Sequence, residues 1–184
     1  MPRRFATFLW QFAKRPRTTG AIAPSSRGLA WRIVEGIGVE SADVIFEFGA
    51  GTGAFTRAIV ERMKPGAQFV AVEINPVTYE FARENLARAG YGDVKLILGD
   101  GSAGHLEDAP YDAVSITAAS PEVPPPLVEQ LRAPGRLIAP VGGDRYTGQD
   151  LLLLEKGENG EIARRSLMKV VYVPLLGEYG WRKP

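Results

Sequence analysis

The sequence lacks cysteine altogether and has a single histidine, His105, among 184 residues. Without thiols, a disulfide framework, a thiolate metal site and a cysteine nucleophile are excluded. One imidazole also disfavours a histidine-based metal centre or a Ser-His-Asp triad. No apolar run reaches the ~18 residues of a membrane span, and none follows the first arginines as in a signal peptide. We therefore expect a cytoplasmic protein without a metal site, either soluble or peripheral on the inner face of the membrane.

Acidic residues are absent before Glu35, although arginines and lysines are frequent there and the net charge of the chain is only +1. Phe5, Phe8, Leu9 and Phe12 follow the spacing i, i+3, i+4 and i+7, which predicts a basic amphipathic helix within residues 1–14. Such a helix fits a membrane interface, a cap over an active site or simple packing on the domain's own core. The basic segment favours an anionic partner, either a membrane surface or a nucleic acid.

Residues 44–53 form the most informative stretch, Val-Ile-Phe-Glu-Phe-Gly-Ala-Gly-Thr-Gly. The apolar run predicts a buried parallel strand, and the alternating glycines predict a tight turn where backbone approaches a ligand. Helical spacing of apolar residues follows at 54–63, so the turn opens into a helix, as in nucleotide sites. A glycine turn without a ligand is the competing interpretation. The candidate cofactor residues here are Glu47, Gly49, Ala50, Gly51, Thr52 and Gly53.

Two further acidic residues stand where later strands are predicted to end. Glu73 follows the apolar run 68–72, and Asp100 follows the run 94–98. Ligands bind at the carboxyl ends of strands in doubly wound sheets. Glu73 is therefore placed to accept hydrogen bonds from both ribose hydroxyls of a nucleoside, and Asp100 from an adenine amino group. A surface acid and an Asp-Gly turn are the alternatives. Ile74, Gly101 and Thr117 complete the candidate cofactor set.

Apolar runs and helical patterns alternate along the chain and predict one α/β domain. Strands are predicted at residues 44–48, 68–72, 94–98, 111–117, 136–141, 151–155 and 168–173, and helices at 27–36, 54–63, 75–89 and 127–131. We expect a Rossmann-like, seven-stranded, mostly parallel sheet with helices on both faces and a terminal antiparallel hairpin. This domain should occupy residues 25–184, behind a basic helix and cap segment at residues 1–24.

The glycine turn, with its acid two residues before the first glycine, resembles motif I of the class I S-adenosylmethionine (SAM)-dependent methyltransferases, E/D-x-G-x-G-x-G. A dinucleotide fingerprint would place the third glycine one residue later. SAM carries an ammonium and a sulfonium but no phosphate, so an acid at the turn suits it. Together with Glu73 and Asp100, the resemblance implies SAM as the cofactor.

Residues 85–181 resemble one group of these enzymes, the protein-L-isoaspartate O-methyltransferases. The matching segments are residues 96–101, 109–112, 117–124, 127–131, 134–138, 140–142 and 173–181. That family has a Thr-Ile-Ser-Ala-Pro segment whose serine is implicated in catalysis. In this chain Ala-Ile-Ala-Pro at residues 21–24 puts Ile22 at the serine position. Isoleucine can neither position a carboxylate nor relay a proton, so Ser25 or Ser26 would have to substitute.

Residues 8–76 resemble a different group, the bacterial phospholipid N-methyltransferases, which are relatives of the rRNA adenine dimethylases. The matching segments are residues 8–15, 16–26, 49–57 and 72–76. In that group the N-terminal basic helix meets the membrane. The Asn-Pro-Pro-Tyr/Phe signature of the adenine dimethylases is absent, which disfavours methylation of a nucleic-acid base.

These patterns lead to one first hypothesis and two alternatives. The first is SAM-dependent N-methylation of a phospholipid amine head group of the phosphatidylethanolamine type, with an anionic membrane surface or lipid as the partner. The second is carboxyl methylation of damaged proteins, with a peptide as substrate. The third is a non-catalytic SAM-binding or RNA-associated module. Methyl transfer mainly requires alignment of donor and acceptor, and Tyr179, Glu178 and Ser25 are the candidates for assisting it.

Overall fold

The computed structural model of the protein describes residues 27–51, 54–92, 94–143 and 148–181. Its strands are β1 Val44–Phe48, β2 Gln68–Glu73, β3 Lys95–Leu98, β4 Tyr111–Ile116, β5 Leu131–Val141, β6 Gln149–Lys156 and β7 Ile162–Val170. Its helices are α1 Arg27–Ile37, α2 Ala54–Val60, α3 Pro76–Arg88 and α4 Pro125–Glu129. Short 3₁₀ turns occur at Gly101–Ala103 and Leu106–Asp108.

The strands form one sheet in the order β3-β2-β1-β4-β5-β6-β7. Strands β1 to β5 pair in parallel, and β6 and β7 pair antiparallel. The predicted Rossmann-like, mostly parallel sheet with an antiparallel end is confirmed. The chain moves outward from β1 to β3 and then returns to the other side of β1 with β4. This reversal is a topological switch point, and ligands of such sheets bind at the carboxyl ends of the strands beside it.

Two apolar layers cover the sheet because alternate residues of its strands face opposite sides. On one face, β1 contributes Ile45, which lies in the same buried cluster as Ile33 of α1 and Ile59 of α2. On the other face, Phe46 stacks on Tyr111 with ring centroids 4.6 Å apart, in the same cluster as Leu127 of α4. Helices therefore cover both faces, and the buried strands hold the carboxyl edge of the sheet in place.

The two strands that differ most from prediction are β5 and β7. The sequence predicts the last strand at 168–173, whereas β7 is Ile162–Val170 and is exposed from Ile162 to Lys169. An edge strand without a buried face has no alternation of burial from which its start can be recognised. Strand β5 begins at Leu131 rather than at residue 136, because Leu131 pairs with Tyr111 before a shift in register.

The predicted amphipathic helix in residues 1–14 and the predicted domain boundary at residue 24 lie outside the described residues, and both stay predictions. No helix in the described part of the chain is long and apolar enough to cross a membrane.

Candidate functional site

The glycine turn leaves β1 at the switch point and folds back against β2 and the loop after β4. Gly49 and Gly51 have φ angles of +83° and +53°, which glycine adopts without the strain that a Cβ would cause. The Gly49 amide donates to the Val72 carbonyl at 2.8 Å. A Cβ on Gly49 would lie 2.8 Å from Thr117 Oγ1, whose hydroxyl reaches the carbonyls of Phe48 and Gly49. Thr117, a predicted site residue, thus fixes the carbonyls of this turn.

Glu73 stands at the end of β2 and holds the glycine turn from the side. Its Oε2 accepts from the Gly51 amide at 3.1 Å, and its Oε1 accepts from the Asn75 amide at 2.9 Å. Burial raises the pKa of the Glu73 carboxyl, although the backbone donors oppose this. Each carboxylate oxygen has two acceptor positions, so one on each oxygen is left for a ligand hydroxyl. Glu73 therefore supports the backbone of the site, while its contact with a ribose stays a prediction.

Glu47 lies beneath the turn rather than at its open side. Its side chain is fully buried, and Thr56 of α2 donates to Oε2 at 2.5 Å. Among the described residues, Oε1 has no hydrogen-bond partner, and neither does the hydroxyl of Ser115, the residue paired with Glu47 in register. Burial raises the Glu47 pKa to about 8, against the hydrogen bond from Thr56, and the charge of Glu73 raises it further. The structure thus shows Glu47 tying β1 to α2, while its contact with a cofactor stays a prediction.

Asp100 brings the cofactor candidates together with two of the catalytic candidates. Its Oδ1 accepts from the amide and the hydroxyl of Ser102, at 2.9 and 2.7 Å. Its Oδ2 accepts from the Glu178 amide at 2.8 Å, and the Tyr179 amide donates to Ser102 Oγ at 3.2 Å. The predicted contact of Asp100 with adenine stays a prediction, since the structure shows these protein partners for its carboxylate.

The C-terminal segment, residues 173–181, is also fixed to the loop after β4. The Ala119 amide donates to the Val173 carbonyl at 2.6 Å, and the Ala119 carbonyl accepts from the Leu175 amide at 2.7 Å. The same carbonyl accepts from the indole nitrogen of Trp181 at 2.9 Å. Leu175 is fully buried. The segment therefore lies along the carboxyl edge and completes the candidate site.

The remaining predicted site residues are only partly described. Ala50 and Gly101 are buried and Ile74 is half-buried, all at the carboxyl edge. Ser25, Thr52 and Gly53 lie outside the described residues, and their roles stay predictions. The sequence reasoning missed Ser102 and Ala119. Ser102 follows Asp100 by two residues, a spacing typical of an Asx turn that could have identified it. Ala119 acts through its backbone, which leaves no signal in the residue type.

The sequence of this chain matches the model of a known protein family. The model of protein-L-isoaspartate(D-aspartate) O-methyltransferase matches residues 11–180. The chain belongs to the protein-L-isoaspartate O-methyltransferase family. The resemblance predicted for residues 85–181 is confirmed and extends into the first half of the chain. Membership of the SAM-dependent methyltransferases, which the glycine turn predicts, is confirmed at the level of the family.

Individual family members agree with this assignment. A protein-L-isoaspartate O-methyltransferase of Methanopyrus kandleri is 43% identical over 141 residues, covering 76% of this chain and 62% of the relative. One from Pyrococcus abyssi is 46% identical over 139 residues, covering 76% of this chain and 63% of the relative. The chain thus spans about three fifths of the length of several curated relatives that it matches.

Solved structures show the same fold. A protein-L-isoaspartate O-methyltransferase matches with a TM-score of 0.76 at 25% identity, covering 85% of this chain and 49% of that one. A beta-aspartate methyltransferase from Plasmodium falciparum, in complex with S-adenosyl-L-homocysteine, matches with a TM-score of 0.68 at 21% identity. It covers 85% of this chain and 78% of that one.

The first hypothesis, N-methylation of a phospholipid head group, is wrong. The family model runs through residues 11–180, so the first half of the chain belongs to the same family as the second. Of the segments that resemble phospholipid N-methyltransferases, residues 8–26 lie outside the described residues, whereas residues 49–57 and 72–76 contain the glycine turn and the acid after β2. These features serve a cofactor and do not identify a methyl acceptor. None of the comparisons supports a membrane or lipid partner.

Proposed function

We propose that this protein is a SAM-dependent protein-L-isoaspartate O-methyltransferase, which methylates the carboxylate of isoaspartyl residues in damaged proteins. The observation that carries the proposal is the family match over residues 11–180. The position of the candidate site at the switch point of the sheet supports it. The proposal implies a cytoplasmic setting and a peptide segment of another protein as the partner.

The residues of the carboxyl edge fit the proposed cofactor. The positive φ angles of Gly49 and Gly51 let the backbone approach a ligand closely. Glu73 has acceptor positions left for the two ribose hydroxyls, and Thr117 keeps the Phe48 and Gly49 carbonyls in place. When bound, the cofactor supplies an electrophilic methyl group on its sulfonium. The chain's own contribution is to hold the donor and the acceptor in line and to exclude water.

A carboxylate acceptor requires no proton transfer from the site before methylation. Carboxyl groups of this kind ionise near pH 4, so the acceptor is already a nucleophile at neutral pH and loses no proton before attack. An amine acceptor would instead need a base. We therefore assign no proton to Glu178 or Tyr179, and infer that their backbone positions matter more than their side-chain chemistry.

The test is transfer of a radiolabelled methyl group from SAM. The acceptors are an isoaspartyl peptide, the same peptide with ordinary aspartate, and phosphatidylethanolamine vesicles. We expect a base-labile methyl ester on the isoaspartyl peptide only, because the ester of a carboxylate hydrolyses readily and an N-methyl group does not. Methylation of the lipid would contradict the proposal. So would a protein that binds S-adenosylhomocysteine but transfers no label to the isoaspartyl peptide.

A further inference from the structure

The C-terminal segment is fixed at two places on the carboxyl edge, which β2 and β1 separate in the sheet. Its two ends, residues 173–175 and the Trp181 indole, bond to Ala119 in the loop after β4. Its middle, the amides of Glu178 and Tyr179, bonds to Asp100 and Ser102 after β3. In the strand order β3-β2-β1-β4, the strands between these fixed points carry Glu73 and the glycine turn. The segment therefore spans the same edge that carries the candidate cofactor residues.

The bonds at the β3 end are made by side chains and can be removed one at a time. Asp100 accepts three hydrogen bonds, two from Ser102 and one from the Glu178 amide, and Ser102 accepts one from the Tyr179 amide. A Cβ on Gly177 would collide with the Asp100 carboxylate, so the chain passes as close to it as glycine allows. The acceptors for the amides of residues 178 and 179 are therefore two side-chain oxygens that a substitution can remove.

The side chains of the segment remain available to another molecule while its backbone is held. Leu176, Tyr179 and Trp181 are 38%, 37% and 39% exposed, and all three lie between or beside the fixed points. Aromatic groups such as Tyr179 and Trp181 are enriched where proteins bind other chains. A peptide that reaches the cofactor edge can therefore pack on a surface whose position depends on Asp100 and Ser102.

We propose that Asp100 and Ser102 are positioning residues, which hold residues 177–181 where an acceptor peptide is aligned with the cofactor edge. This inference rests on the proposed function for its kinetic consequence, but the anchoring itself does not. Asp100 then serves two purposes, since the carboxylate predicted to receive adenine also fixes the backbone beside the acceptor. The Ser102 hydroxyl bonds to Asp100 and to the Tyr179 amide, and it is not a predicted cofactor contact. Removing this hydroxyl therefore tests the anchoring of residues 177–181 separately from cofactor binding.

Hydrogen–deuterium exchange tests the anchor directly. We compare the backbone amides of Glu178 and Tyr179 in the full chain and in the variants Asp100→Asn and Ser102→Ala. Asparagine keeps the size of aspartate but replaces one acceptor oxygen by a donor, and alanine removes the acceptor for Tyr179. We expect the Glu178 amide to exchange at least about tenfold faster in Asp100→Asn, and the Tyr179 amide at least about tenfold faster in Ser102→Ala. Unchanged exchange in both would overturn the proposal.

The chain offers a matched control pair at the far edge of the sheet. The Ser166 hydroxyl donates to Asp150 Oδ1 at 2.9 Å, the same chemistry as between Ser102 and Asp100. The variants Asp150→Asn and Ser166→Ala should leave exchange at Glu178 and Tyr179 at the wild-type rate. If the control pair accelerates these amides as much as the site pair does, the effect is general loosening and the anchor is refuted.

Kinetics then separate positioning from a merely structural role. In Ser102→Ala we expect KM for an isoaspartyl peptide to rise about tenfold or more, with affinity for S-adenosylhomocysteine within about threefold of wild type. An unchanged KM for the peptide would refute the positioning role. If the wild-type protein methylates no isoaspartyl peptide, the proposed function fails, whereas the exchange result still decides the anchor.

Discussion

Glu73 Oε2 accepts a hydrogen bond from the Gly51 amide at 3.1 Å, so a side chain at the end of β2 holds the turn that follows β1. The second oxygen binds the Asn75 amide, and Asn75 in turn caps α3 by accepting from the Val77 amide at 2.9 Å. One carboxylate thus joins two neighbouring strand ends of the site. The conformation of the glycine turn depends on β2 as well as on its own glycines.

Replacing Glu73 should weaken cofactor binding. Glu73→Ala removes the acceptor for two amides and the proposed acceptor for ribose, and a hydrogen bond to a charged group contributes about 1.5–3 kcal/mol. We expect affinity for S-adenosylhomocysteine to fall at least about tenfold in Glu73→Ala, and less in Glu73→Gln, by calorimetry. Glu84→Ala on the exposed side of α3 is the control. Wild-type affinity in Glu73→Ala would show that this carboxylate supports neither the turn nor the ligand.

Stability should depend on pH through Glu47. Its pKa in the folded protein is about 8, above the ordinary 4.5, so the folded state binds more protons than the unfolded state between these values. The free energy of unfolding should therefore fall as the pH rises from about 4.5 to about 8. Glu47→Gln lacks the titrating group and so lacks this loss. The free energy of unfolding of the variant minus that of wild type should therefore be about 1–3 kcal/mol larger at pH 9 than at pH 6.

Urea unfolding at the two pH values measures this difference. Glu122→Gln, at an exposed position, is the control and should follow the wild-type pH dependence. Equal pH dependence in wild type and Glu47→Gln would mean that Glu47 does not hold the extra proton.

Gly101 should tolerate no side chain. A Cβ there would collide with the Phe48 ring and lie 3.0 Å from the Val72 Cβ, and both side chains are buried. We expect Gly101→Ala to destabilise the protein by about 1–3 kcal/mol, as overpacking of a core does. Gly99→Ala two residues earlier is the matched control, because its Cβ would meet no atom within 4 Å. Thermal or urea unfolding checks this, and equal stability of the two variants would contradict it.

The serines at residues 25 and 26 should matter for turnover if one of them replaces the serine that Ile22 displaces. We expect Ser25→Ala to lower kcat on an isoaspartyl peptide about tenfold or more, because a hydroxyl can position the acceptor carboxylate. Ile22→Ser should restore part of the loss in that background. Affinity for S-adenosylhomocysteine should not change. A fully active Ser25→Ala, Ser26→Ala double variant would show that no serine in this segment is required.

The parallel half of the sheet could be predicted because its strands are buried on both faces and form nearly continuous apolar runs. Strand β1, Val44–Phe48, has the predicted bounds. The inward direction of Glu47 was also present in the sequence, since Glu47 and Ile45 share one face of a strand with a period of two. Strand β7 gave no such signal because its residues are exposed from Ile162 to Lys169.

The contacts that complete the site could not be predicted in the same way. Asp100 binds the Glu178 amide across 78 positions of sequence, and backbone amides carry no residue type. The acceptor was misjudged for a different reason. The lipid hypothesis depended on the basic helix predicted in residues 1–14 and on Ile22 at the serine position. Neither feature identifies the methyl acceptor, and the family model covers residues 11–180.

The β6–β7 hairpin carries the chain away from the site and back. Its turn closes where the Gly157 amide donates to the Glu161 carbonyl at 2.8 Å, at the edge of the sheet opposite the glycine turn. Nine residues of β7 at about 3.3 Å each place that turn roughly 30 Å from residue 170. A fluorescent label or an affinity tag inserted there would lie one full strand length from the carboxyl edge of the sheet. Immobilised protein attached at this turn would therefore present its open edge to substrate.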